Sequence, residues 1–207
     1  MSAQTDALFA AIESFRVQEA RWAVEQGADL DALKDGLTPL MRAALSGSEP
    51  IISMLLRSCS PLARGARGET ALMMAAHGGD GHCVRALLPR SDPLACDLDG
   101  KTALMRSAIG GSSLSARLLI PVSNVAAVDV NGDTALHIAL SLGHDHIAEM
   151  LIPSSDLLAP NHAGKRPVDW ADASACATLG AFKRSWEEAG ALSALCSEPP
   201  SRRRFVL

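Results

Sequence analysis

The sequence predicts an all-α protein built as a stack of repeated helix pairs, and three observations carry that prediction. One short block recurs at a fixed interval of 32 residues. Inside the block, a small capping residue, a glycine stop and one-sided apolar spacing read as two short helices. The 207 residues are 48% hydrophobic but only 3% aromatic, with no tyrosine. A core of Ala, Leu, Ile, Val and Met suits closely stacked helices better than a β-sandwich.

The block is clearest at residues 132–152, GDTALHIALSLGHDHIAEMLI. Thr134 is placed to cap orphan backbone N–H groups, and Ala135, Leu136, Ile138, Ala139 and Leu140 supply compact helix-forming bulk. Gly143 stops this helix. His144 and Asp145 begin a second one, whose Ile147, Ala148, Leu151 and Ile152 line one apolar face, with Pro153 expected to end it. The opening recurs as GLTPL, GETAL, GKTAL, GDTAL and GKRPV, beginning at Gly36, Gly68, Gly100, Gly132 and Gly164. The glycine stop recurs as Gly47, Gly79, Gly111 and Gly143, and the last apolar turn as Leu55-Leu56, Leu87-Leu88, Leu119-Ile120 and Leu151-Ile152. A fixed period of this kind is the signature of a solenoid.

These blocks resemble the ankyrin repeat, whose G-x-T-P-L-H-x-A-A…G-H…L-L pattern is matched best at 132–152. The resemblance covers residues 8–188 and implies an ankyrin-repeat solenoid of helix-turn-helix units joined by short β-hairpin fingers. Residues 1–35 read as an N-terminal capping repeat, with GADLD at 27–31 similar to the family's G-A-D-V-N turn. Four repeats follow at 36–67, 68–99, 100–131 and 132–163. Residues 164–190 read as a C-terminal cap, containing PVDWA at 167–171 and the polar Lys183, Arg184, Glu187 and Glu188 for its water-facing side. Residues 191–207 read as a mobile tail.

Two departures from the family pattern stand out. The period is one residue shorter than the family's usual length. Pro89, Pro121 and Pro153 fall just after the second helix, where each is expected to stop it abruptly. Met41, Met73 and Met105 occupy the family's histidine position, leaving only His137, which implies apolar packing in place of backbone hydrogen bonds and slightly looser stacking.

The formal net charge of −4 provides no global attraction to nucleic acid or anionic membranes. Net charge alternates in sign from unit to unit along the array. That alternation either favours stacking weakly or is a fortuitous pattern on a solvated surface, and it leaves no single-signed stripe for a phosphate backbone. The N-terminal MSAQTDALFAAIES has no basic stretch ahead of a long apolar run, so no secretion signal is expected. No apolar run is long enough to span a membrane. The five cysteines, Cys59, Cys83, Cys96, Cys176 and Cys196, include no CxxC pair. Cys83 falls on the apolar side of a helix, and a buried free thiol in a reducing cytoplasm is the expectation. Secretion without a signal peptide, as a host-directed effector, is the alternative.

The family resemblance places partner contacts on the concave side, formed by the fingertips and the exposed positions of each first helix. Carried over residue by residue, the finger positions are Leu37, Glu69, Lys101, Asp133 and Lys165. The helix positions are Arg42, Leu45, Met74, His77, Arg106, Ile109, Ile138, Ser141 and Trp170. Met74, Ile109, Ile138 and Trp170, flanked by Arg42, Arg106 and His77, have the composition of an interface strip. Some of these, especially Ile109 and Ile138 but also Trp170, could instead pack against the neighbouring finger.

No motif for chemistry emerges. His144 and His146 point in different directions at a helix start, and no cysteine lies at zinc-finger spacing. Ser141 sits on no G-x-S-x-G turn, and the glycines punctuate helices rather than cradle phosphate. The tail ends in Arg202–Arg204 and Phe205-Val206-Leu207, readable as a nuclear address, a free-carboxylate ligand or a segment without a specific role. The expected function is a monomeric, non-enzymatic protein-binding module without cofactor, acting as an adaptor, inhibitor or effector. The alternative is a regulatory subunit of an enzyme whose catalytic chain is separate.

Overall fold

The computed structural model describes residues 2–170 and 176–197; the tail beyond Ser197 lies outside the described residues. Helices form pairs in chain order: α1 (Ala3–Glu13) with α2 (Val17–Glu25), α3 (Pro39–Leu45) with α4 (Glu49–Leu55), α5 (Ala71–Gly78) with α6 (Gly81–Leu87), α7 (Ala103–Gly110) with α8 (Ser113–Leu119) and α9 (Ala135–Ser141) with α10 (Asp145–Leu151). The first helices pack in sequence, α1 on α3, α5, α7 and α9, and the second helices form a parallel row from α2 to α10. In the last unit the described residues form a 3₁₀ turn at Pro167–Trp170 and α11 (Ala177–Ser197). α11 therefore runs past residue 190, where the sequence reading ended the C-terminal cap.

Each first helix begins the same way. The hydroxyls of Thr38, Thr70, Thr102 and Thr134 accept from the N–H groups of Met41, Met73, Met105 and His137 at 3.3, 3.3, 3.3 and 3.4 Å. This satisfies one orphan donor per helix. The apolar sides then meet in one continuous core, in which Met41, Met73 and Met105 are buried as the histidine substitution implied. His137 differs: its Nδ1 accepts from the Thr134 N–H at 3.3 Å, completing a capping box, and lies 2.8 Å from the Thr134 hydroxyl, while Nε2 reaches the Lys165 carbonyl at 3.2 Å. The fourth repeat is thereby tied to the finger that follows it.

The prolines act less abruptly than expected. After α6, α8 and α10 the chain continues as 3₁₀ turns at Leu88–Arg90, Ile120–Val122 and Ile152–Ser154, each holding its proline in the first turn. Proline lacks only an N–H that a helix start leaves unpaired anyway, so it redirects the chain without breaking it.

The first unit departs from the register, at Asp35 with a φ of 52° and more tellingly at Phe15. Phe15 takes the slot that Gly47, Gly79, Gly111 and Gly143 fill elsewhere, and it adopts a φ of 57° there. A left-handed phenylalanine is strained, whereas glycine accepts this conformation freely.

Candidate partner-binding face

Short fingers alternate with the helix pairs, and their geometry starts from one side chain. Asp97, Asp129 and Asn161 sit in the same register. The Asp97 Oδ1 accepts from the N–H groups of Asp99 and Lys101, both at 2.9 Å. Asp129 Oδ1 accepts from Asn131 at 2.8 Å and Asp133 at 3.0 Å, and Asn161 Oδ1 from Ala163 at 3.0 Å and Lys165 at 2.9 Å. Such side chains mimic a backbone turn and fix each tip. In the second unit the register position is Gly65, and Glu69 supplies the acceptor from the other side of the loop, its Oε2 2.9 Å from the Arg67 N–H.

The fingers are also joined to one another. The amides of Ala66, Leu98, Val130 and His162 donate to the carbonyls of Gly36, Arg67, Asp99 and Asn131 at 2.8 to 3.0 Å. Arg67 pairs with Asp99 at 2.6 Å, Lys101 with Asp129 at 3.0 Å, and Asn161 Nδ2 donates to Asp133 at 2.7 Å. Arg64 Nη1 donates to the carbonyls of Gly68 at 2.8 Å and Cys96 at 2.7 Å. From the helices, Arg106 grips the buried carboxylate of Asp97, and Arg42 meets Asp35 at 2.8 Å. These contacts form a ladder between fingers, with ion pairs at Arg67–Asp99 and Lys101–Asp129. Burial pushes the Asp129 carboxyl upward, but the Lys101 ammonium and the two turn amides outweigh it and hold the group below the usual carboxylate range.

This ladder corrects several expected contact residues. Glu69 is 8% exposed and closes its own turn. Met74 at 5% and Ile138 at 7% belong to the core, because the neighbouring first helices approach closely enough to cover that face. Ile109 is half-buried against the same core, as is Leu45. Arg42, Lys101 and Arg106 are reachable but already paired, and Asp133 is engaged by Asn161. Trp170 is half-buried, edge-on to His137 with ring centroids 6.0 Å apart and beneath the Lys165 ammonium at 5.4 Å. Ser141 is exposed, and its hydroxyl donates to the Ile138 carbonyl. His77 is half-buried with an unpartnered Nδ1; burial first, then the nearby Arg106 guanidinium, lower its pKa below the usual histidine value. The apolar strip expected along the first helices is therefore mostly core.

A cluster of exposed apolar groups lies on the fingers instead, while others such as Phe15, Trp22 and Leu142 stand singly elsewhere. Asp97 and Asp129 are buried, whereas Cys96, Leu98, Val128 and Val130 on either side of them face water, with Leu98 74% and Val130 59% exposed. Leu94 extends the same outward set. The alternation of the stretches LACDLD and AAVDVN carried that signal in the sequence, beneath the stronger repeat pattern.

A family model for ankyrin repeats (3 copies) matches residues 58–121 and 72–162, and one for ankyrin repeats (many copies) matches residues 8–56. The chain belongs to the ankyrin-repeat family. No curated protein matches it in a sequence search. Ankyrin repeats are generally protein–protein interaction modules and are typically non-catalytic. Among the described residues of this ankyrin-repeat chain, no group of His, Cys, Asp and Glu is arranged to hold a metal, and no helix is long and apolar enough to cross a membrane.

Proposed function

We propose that this ankyrin-repeat chain is a non-enzymatic module that holds a partner protein against its finger row, with Leu98 and Val130 at the centre of the contact. One observation carries the reading: two adjacent fingers present outward apolar side chains on tips joined by the Val130 to Asp99 backbone hydrogen bond, 3.0 Å long. A rigid apolar patch loses little conformational entropy on binding, so more of its burial appears as affinity. Contiguous exposed apolar groups on a soluble surface mark contact sites. The ion pairs beneath them hold the backbone in place rather than reaching for the partner.

Leu45, His77, Ile109, Ser141 and Trp170, on the first-helix side, form a secondary wall for a partner that wraps over the fingers. Arg106 is excluded as an anchor, because its removal would strand the Asp97 carboxylate, whose side chain is 1% exposed. The module acts alone as a monomer in a reducing cytoplasm, a setting supported by the free thiols of Cys59, Cys83 and Cys96. It serves as an adaptor, inhibitor or effector of one protein.

The test is capture from the native source with the wild-type chain and with Leu98→Lys/Val130→Lys. Both positions are exposed, so circular dichroism and melting temperature stay unchanged. A stoichiometric partner retained by the wild type and lost with the double variant supports the reading; equal retention refutes it, and turnover by the pure chain would refute the non-enzymatic assignment.

A further inference from the structure

Several cations on the finger side are neutralised, whereas a row of arginines on the second-helix side is not. On the finger side Arg42, Arg67, Lys101 and Arg106 are neutralised by carboxylates. On the second-helix side Arg21, Arg57, Arg85 and Arg117 are exposed, and none makes an ion pair with a described residue. Arg21, Arg85 and Arg117 share one repeat register, with Ser53 in the intervening slot and Arg57 one turn beyond it. Because α2, α4, α6 and α8 pack side by side, one register becomes one row across the helices. Its steps are about 10 Å, the usual separation of packed helices.

Arg85 and Arg117 lie in the last turns of α6 and α8, where a cation also complements the helix dipole. That effect does not account for Arg21, which stands in the middle of α2. Between α2 and α4 the row crosses a groove of about 350 Å³, with Val24, Pro50 and Met54 as apolar lining and Arg21 and Arg57 beside them. Two carboxylates face this end: Glu25 lines the groove, and Glu49 is held by the Ser53 hydroxyl at 2.6 Å. Glu149 takes the same register on α10 and ends the row.

We propose that this row docks an acidic amphipathic helix of a partner protein, on the side opposite the finger row and independently of it. Carboxylates at i and i+7 of a helix stand about 10.5 Å apart along its axis, which matches the step from Arg117 to Arg85, and the next step falls at the Ser53 slot with Arg57 one turn beyond it. An apolar side chain carried between them fills the groove at Val24 and Met54. Guanidinium groups bind carboxylates through paired N–H donors, which favours this ligand chemistry. A long polyanion is disfavoured by the net charge of −4, whereas a short acidic helix responds mainly to the row within a screening length of about 8 Å.

The experiment is fluorescence anisotropy with a labelled helical peptide of about 20 residues, Ala- and Leu-based, carrying Glu at i, i+7 and i+14. A shuffled peptide of the same composition and a single-stranded oligonucleotide serve as competitors. The registered peptide is expected to bind saturably and to weaken with added salt. Arg85→Gln/Arg117→Gln is expected to weaken it about tenfold, with unchanged circular dichroism and melting temperature. Glu25→Gln, which removes the opposing charge, should tighten binding, and Leu98→Lys/Val130→Lys should leave it unaltered. Absence of saturable binding, equal binding of the shuffled peptide, preference for the oligonucleotide or indifference to the double arginine variant would each overturn the proposal. Loss of binding in the fingertip variant would overturn its independence from the finger row.

Discussion

Replacing Asp129 separates two roles that its carboxylate combines. Oδ1 accepts the two turn amides, and Oδ2 holds the Lys101 ammonium at 3.0 Å with the Asp129 side chain only 2% exposed. Asp129→Asn keeps the turn acceptor and removes the ion pair, as Asn161 demonstrates by making the same turn in the next finger. Lys101 retains partial access to water, so the expected cost is about 1 to 1.5 kcal/mol. Asp129→Ala removes the turn acceptor as well. Two amide hydrogen bonds to a charged group raise the cost to about 3 to 4 kcal/mol, discounted because the tip is partly solvated. Urea unfolding followed by circular dichroism reads both values from the shift in midpoint, with m compared to guard against loss of two-state behaviour. The wild-type carboxyl is held below its ordinary value in the folded state. Its contribution is therefore present above the unfolded value of about 4 and is lost as pH falls through the folded one, and Asp129→Ala should flatten that acid limb. Equal costs for the Asn and Ala variants would refute the argument, because the ion pair and not the turn would then carry the finger.

Three further outcomes follow from the same geometry. Gly100→Ala should cost about 2 kcal/mol or more and Gly164→Ala about 1, measured by denaturation: both glycines have φ near 75°, but a Cβ on Gly100 meets the Asp129 Cα at 3.1 Å whereas Gly164 has nothing within 4 Å. Because the His77 pKa is lowered in the folded protein, its contribution is present above the unfolded value of about 6.5 and is lost as pH falls through the folded value; a His77→Gln variant should show a shallower decline in melting temperature over that window. Burial pushes the thiols of Cys59 and Cys83 up to about 11 and about 12, and Cys96 is exposed on its finger. Iodoacetamide should therefore modify Cys96 long before either of them, by peptide mass spectrometry, and modification at Cys96 should block partner capture.

The fold was legible because its signals reinforce one another: threonine caps, glycine stops and paired apolar ends repeat in one register. The site was less so, for reasons visible in single residues. Met74 and Ile138 occupy positions that a family pattern treats as exposed, but small residues such as Ala71, Ala75 and Ala139 let the helices approach and cover them. Glu69 reads as a surface charge until Gly65 is recognised as the slot that lacks the turn aspartate. Asp97 and Asp129 were hidden for the opposite reason: an acidic residue in a loop normally reads as solvated, and only the positions of Arg106 and Lys101 show why these two can be buried. Phe15 breaks the glycine register at a single site, which no spacing rule anticipates.

The claim that the finger row receives a partner protein is tested most directly by hydrogen exchange on the chain alone and in its captured complex. Protection confined to the stretches 94–101 and 126–133, around Leu98 and Val130, is the predicted result. Unchanged exchange there, with protection elsewhere on the surface, would contradict it.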